Sequence, residues 1–136
     1  MDNQDIRWKQ RFTNFNQAFL RLKEAMEKET LNELERNGLV QRFEFTLEMG
    51  WKTLKDFLEF QEFDFKPSPK ETLRLAQKSL YIDYAQELID GLELRNILSH
   101  DYSGKKFIQS ENKFKSEIYP AIVKLHSFLL KENNNS

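Results

Sequence analysis

An all-α domain, an up-and-down bundle of about five helices, is predicted by three features of this chain. Apolar residues recur at helical spacing through nearly its whole length. Only four glycines and three prolines punctuate it. No stretch alternates apolar and polar residues as a half-buried strand does. The 136 residues fall in the usual size range of one domain and suffice for a single sizeable core. Residues 1–131 are read as that domain and 132–136, Glu-Asn-Asn-Asn-Ser, as a disordered tail.

Each element has its own signal. Trp8, Phe12, Phe15, Phe19, Leu22 and Met26 follow one another at steps of 4, 3, 4, 3 and 4 residues, a seam on one face of a first helix. Thr30-Leu31-Asn32-Glu33 has the form of a capping box and predicts a new helix start, with Gly38 interrupting or bending that helix. The seam resumes through Val40, Phe43, Leu47, Trp51, Leu54 and Leu58, while Phe45 and Met49 add apolar surface on a second face. Such a helix is central to the core, shared with a partner, or both. Phe63 to Pro69 reads as a loop. Ser68-Pro69-Lys70-Glu71 then opens a short helix to about Leu80, with serine as cap, proline at the first turn and glutamate closing the box. Asp83 is read as the cap of a helix carrying Ala85, Leu88, Ile89 and Leu92 and ending near Leu98. Ser103-Gly104 marks a turn before a last long helix with Phe107, Phe114, Ile118, Ile122, Leu125 and Leu129, which Pro120 should kink or break.

Composition narrows the function. Charged residues make up 32% of the chain, and no apolar run approaches the roughly 20 residues of a membrane span. Met1 to Asp5 lack the basic and apolar regions of a signal peptide, and cysteine is absent, so a cytoplasmic protein without disulfides or thiolate metal sites is expected. Two histidines, His100 and His126, argue against a zinc site built from one chain. A net charge of −1 argues against an autonomous binder of long nucleic acid, which usually carries a positive excess.

One segment stands out chemically: Arg95-Asn96-Ile97-Leu98-Ser99-His100-Asp101-Tyr102. Arginine is a permanent, forked phosphate binder, and histidine moves protons near neutral pH. Together they suggest a phosphodiester or nucleotide site. The same two residues near a helix C-terminus also complement its dipole, and Asn96 suits either a phosphate contact or a helix-end cap. Gln41, Glu44, Glu48 and Lys52 form a polar stripe at helical spacing, read as a solvated face with Glu48 and Lys52 as an i,i+4 pair. Trp51 is assigned to the core and His126 to the boundary of the last helix.

The stretch Gly38-Leu39-Val40-Gln41-Arg42-Phe43-Glu44-Phe45-Thr46-Leu47-Glu48-Met49-Gly50-Trp51-Lys52-Thr53-Leu54-Lys55 resembles the signature helix of the nucleotidyltransferase substrate-binding protein family, part of the wider HEPN superfamily. The likeness extends to Trp8-Lys9-Gln10-Arg11-Phe12, to Ser68-Pro69-Lys70-Glu71 and to the Arg95…Tyr102 segment. It implies a four- to five-helix up-and-down bundle similar to the helical domain of kanamycin-type nucleotidyltransferases. It also implies a homodimer associated with a small, separately encoded nucleotidyltransferase that supplies the catalytic carboxylates and binds Mg and the nucleoside triphosphate, so this chain needs no cofactor of its own. No Gly-Ser followed by Asp-x-Asp occurs here, in keeping with that division. The family name further invites a substrate or partner role for Gln41, Glu44, Glu48 and Lys52.

The superfamily resemblance implies a second activity. Many HEPN proteins carry Arg-x(4–6)-His and cleave RNA without a metal, and Arg95 and His100 match that spacing. In one subfamily of toxins the motif runs on to a tyrosine that the nucleotidyltransferase partner modifies with AMP, and Tyr102 stands at the matching position. Metal-free cleavage needs a base, an acid and positive charge on the phosphorane. One chain offers one histidine and one arginine there, so a nuclease would require a dimer built on the helices flanking residues 85–107. Two readings follow: a dimeric substrate-binding subunit of a two-component nucleotidyltransferase, and a ribonuclease toxin neutralised by that partner.

Overall fold

The first apolar seam folds as predicted. In the computed structural model, which describes residues 3–135, α1 (Asn3–Met26) buries Trp8, Phe12, Phe15, Phe19 and Leu22, none more than 5% exposed. It packs antiparallel on α2 (Glu33–Phe60), with Trp8 against Phe57 at one end and Arg42 reaching the Arg21 carbonyl at the other. At the crossing, Gly50 faces the Phe15 ring. A Cβ there would lie 3.0 Å from Phe15 Cε1 and 3.2 Å from Leu125 Cδ2, so glycine permits the close approach. At mid-length the Thr46 hydroxyl sits between two carbonyls, that of Arg42 in its own helix at 2.6 Å and that of Ala18 in α1 at 3.1 Å.

The start of α2 differs from the expectation by two residues. Asn32, not Thr30, is the cap: its side chain accepts from Glu35 N–H at 2.8 Å, and Glu35 returns the bond to Asn32 N–H at 3.0 Å. Asparagine caps better than threonine, and the box closes on the glutamate three residues on. Gly38 does not interrupt the helix. It lies inside an unbroken α2 with nothing within 4 Å of where a Cβ would sit.

A loop leads to α3 (Pro69–Lys78), where Ser68 Oγ accepts from Glu71 N–H at 3.2 Å and Pro69 occupies the first turn, as the sequence predicts. Helix α4 (Ala85–Leu98) is not capped by Asp83. Its Ala85 N–H donates instead to Gln77 Oε1 of α3 at 2.9 Å, a cap supplied by a neighbouring element. A last helical rod comprises α5 (Lys105–Lys113), a π-helical turn (Phe114–Ile118) and α6 (Tyr119–Asn134). Pro120 neither breaks nor ends it. Proline removes one donor from the ladder, and the π turn just before it, with Tyr119 N–H donating to Phe114 O, absorbs the mismatch. Helix α6 runs through residues 132–134, where the sequence suggests a disordered tail, and Ser136 lies outside the described residues.

The five rods enclose one apolar cluster to which each of them contributes, from Trp8 to Leu129. The predicted inner residues of the last rod, Phe107, Phe114, Ile118, Ile122, Leu125 and Leu129, are all buried. Burying one such side chain contributes about 1.5–3 kcal/mol relative to leaving it in water.

Candidate functional site

The polar stripe of α2 and the arginine at the end of α4 converge on one carboxylate. Glu48 Oε2 accepts from Arg95 Nη1 at 2.8 Å and from Trp51 Nε1 at 3.1 Å, while Glu48 Oε1 pairs with Lys52 Nζ at 3.0 Å. Arg95 can reach because α4 lies close to α2. At Gly91, one turn before it, a Cβ would press on Ile118 Cγ2 of the π turn at 3.1 Å and make ordinary contact with Leu47 Cδ2 of α2 at 3.5 Å.

The two carboxylates of the stripe are pushed apart. Burial raises the Glu44 carboxyl above its ordinary range, partly offset by the charge of Arg95. Burial acts on Glu48 too, but hydrogen bonds from Lys52 and Trp51, with the charges of Lys52 and Arg95, outweigh it and hold that carboxyl below the usual range. Glu48 is therefore a fixed anion. Glu44, one turn away, forms no direct ion pair among the described residues and feels Arg95 only through its charge.

Beyond Arg95 the chain leaves α4 through a tight turn. His100 N–H donates to Ile97 O, Asp101 N–H to Leu98 O, and Gly104 N–H to Asp101 O. Gly104 has φ 77°, the left-handed conformation glycine adopts without strain. Asp101 points inward, and its Oδ2 accepts from Phe107 N–H at 3.0 Å, satisfying a free donor at the start of α5. Its neighbours point outward. His100 is exposed, and its ring makes no hydrogen bond or ion pair among the described residues; Tyr102 is 93% exposed. A shallow groove runs between this turn and α2, with Tyr102 and Ser99 on one side and Gln41 and Glu44 on the other.

The structure thus joins Arg95 to Glu48, Lys52 and Trp51, and sets Gln41 and Glu44 across a groove from Tyr102. It does not bring Arg95 and His100 into contact. Asn96 is exposed, and its contribution to the turn is a main-chain carbonyl that accepts from Ser99 Oγ at 2.8 Å. Two assignments change. Trp51 is half-buried with its indole N–H spent on Glu48, rather than a core residue. His126 is a buried member of an aromatic layer, stacked 4.1 Å from Phe19 and edged by Phe15, with Nε2 2.7 Å from Asn16 Oδ1. Burial, aided by the charge of Lys23, lowers its pKa. Sequence reasoning missed the Glu48–Arg95 pair and the Asp101 cap. The only signal for the first was a glutamate on one polar face and an arginine at the end of another helix, with a sequence separation of 47.

Among the described residues no three His, Asp or Glu side chains converge as a divalent ion requires, and no helix is long and apolar enough to cross a membrane. No curated protein shows significant similarity to the sequence. A crystal structure of a protein from Thermus thermophilus is similar in fold, with a TM-score of 0.73 and 26% identity over 88% of this chain and 98% of that one. Residues 10–131, nearly the whole bundle and all of the Glu48–Arg95 face, match the family described as nucleotidyltransferase substrate binding protein like, and the chain belongs to that family.

Proposed function

We propose that this chain is the substrate-binding subunit of a two-component nucleotidyltransferase, acting as a homodimer beside a separately encoded catalytic chain that holds Mg and the nucleoside triphosphate. The family supports the substrate-binding role. The observation that supports this reading is the Glu48–Arg95 link, which joins α2 and α4 in one mixed-charge surface. Binding groups held on helices by fixed ion pairs lose little freedom when a ligand arrives. Glu44 and Gln41 then offer an acceptor and an amide toward the groove, with Arg36 as the cation that lines it. Such a surface suits a polar acceptor molecule carrying both hydroxyl or amino groups and negative charge.

Co-expression with the small nucleotidyltransferase of the same genome tests this. The two chains are expected to elute together from a sizing column with two copies of this chain per complex. Separate elution at micromolar concentrations of both chains overturns the reading.

A ribonuclease reading is favoured by one feature: His100 and Tyr102 are both exposed in the turn that directly follows Arg95. In a dimer, the two His100 rings would supply base and acid, and the Arg95 guanidinium would leave Glu48 for the phosphate. Transfer of AMP from ATP to the Tyr102 oxygen, with pyrophosphate leaving and the phenolic proton lost to solvent, would place a bulky anion beside His100 and block RNA by shape and charge. The competing Glu48 carboxylate ranks this second. Incubation of the partner-free protein with single-stranded RNA under metal chelation decides it: cleavage that His100→Ala abolishes supports the nuclease, and intact RNA sinks it.

A further inference from the structure

The one permanent cation of the Arg95–Tyr102 segment is occupied from within the chain. Arg95 Nη1 donates to Glu48 Oε2 at 2.8 Å, while its Nε and Nη2 make no hydrogen bond among the described residues. The contact is single-pronged, whereas the strong form of an arginine–carboxylate pair uses two parallel bonds. Both side chains are partly in water, Arg95 at 23% and Glu48 at 35%. Held this way, Arg95 does not line the groove, although Ser99, one turn further along the chain, does.

Glu48 does not depend on Arg95. Its Oε1 pairs with Lys52 Nζ at 3.0 Å, and its Oε2 also accepts from Trp51 Nε1 at 3.1 Å. If Arg95 leaves, the carboxylate keeps a cation and a hydrogen-bond donor, so no charge is stranded. Both of those partners stand on α2 itself, so the pair opens by a side-chain movement and needs no shift of one helix against another. An exposed pair of this kind favours its closed state by up to about fivefold.

We infer that Glu48 is an autoinhibitory latch on Arg95: its carboxylate stands where an RNA phosphate would bind and lowers the affinity of the chain for RNA. The inference rests on the ribonuclease reading above and adds what restrains that activity. A phosphodiester beside the turn after α4 offers two oxygens to the guanidinium fork where Glu48 offers one, so it takes Arg95 at a fixed cost in affinity. Glu48 then falls back on Lys52 and Trp51. Glu44 gives the contrast within the same helix. It lies one turn away, feels the charge of Arg95 and forms no direct ion pair among the described residues.

The test titrates single-stranded RNA against His100→Ala, which leaves the RNA intact, without the partner and under metal chelation. Adding Glu48→Gln should tighten binding about two- to fivefold, even though it removes an ion pair from the fold. Adding Glu44→Gln deletes the same charge without freeing Arg95, and should give a smaller gain. In an Arg95→Ala background, Glu48→Gln should give no more than Glu44→Gln does. With His100 restored, Glu48→Gln should lower KM for cleavage and leave kcat unchanged. A merely structural role for Glu48 would show as weaker binding. Binding that Glu48→Gln leaves unchanged or weakens would overturn the latch, as would equal gains from Glu48→Gln and Glu44→Gln, and either result leaves the ribonuclease reading standing. A parent that leaves RNA intact removes that reading, and the latch falls with it.

Discussion

Glu48 gathers more partners than any other acid at the site, yet it and Arg95 are each still partly in water. Exposed ion pairs contribute little, so Glu48→Gln is expected to cost about 1 kcal/mol at pH 7, measured by urea unfolding. The pH dependence has a definite sign. The folded-state pKa of Glu48 lies below its unfolded value, so the stabilisation is present above the unfolded pKa and is lost as pH falls through the folded one. Parent and variant should therefore converge in strongly acidic buffer. Glu44 is the opposite case: its pKa is raised by burial, so its ionised form opposes folding, and Glu44→Gln should be neutral or stabilising at pH 7. His126 adds a third dependence. Its lowered pKa means the unfolded chain takes up a proton first, and stability falls as pH drops through the ordinary histidine range near 6.5. His126→Phe should flatten that slope between pH 7 and 5. An unchanged slope would mean that another group sets it. The Glu48–Lys52 pair is legible in sequence from its i,i+4 spacing, whereas what a second helix brings is not: Arg95 to Glu48, and Phe19 and Asn16 to His126.

At the scale of elements, Gly91 is where α4 meets the π turn most closely, with Leu47 of α2 in ordinary contact beside it. Valine there would drive methyl groups into Ile118 and Leu47, and overpacking of this kind costs about 1–3 kcal/mol. Gly91→Val should lower the urea midpoint by a corresponding amount and, by lifting α4, weaken the Glu48–Arg95 pair, so that adding Glu48→Gln costs less than in the parent. Strict additivity of the two substitutions would show that the glycine does not set that distance. The helices themselves were readable, since the seams of α1 and the last rod repeat every three to four residues whatever they pack against. Their ends were less so. Thr30 and Asn32 each have a glutamate three residues on, and asparagine, the stronger cap, is the one that closes the box, while the cap of α4 is a glutamine eight residues upstream on another helix, which no local pattern can announce. Pro120 was visible, but its consequence was not, because a π turn lets the rod continue where an α ladder would break.

For the whole molecule, the competing activities place different demands on Arg95 and His100, and stability separates their roles before any activity is measured. Arg95 is bound into the α2–α4 contact, so Arg95→Ala removes an ion pair and should cost up to about 1 kcal/mol whichever function holds. His100 is bound to nothing but its own turn, and its alanine variant should stay within about 0.5 kcal/mol of the parent. Loss of activity in Arg95→Ala is thus ambiguous, and His100→Ala is the informative variant. If the dimer cleaves RNA, removing its acid and base should slow cleavage by about 100-fold or more with no change in unfolding midpoint. If the chain serves only to bind substrate for a partner, the same variant should leave both complex formation and stability where they were. Cleavage that survives His100→Ala in a preparation free of other nucleases would place the chemistry elsewhere on the molecule. The motif alone made both outcomes conceivable. The Glu48 carboxylate on Arg95 tilts the balance toward binding, since a phosphate must displace it to gain the guanidinium.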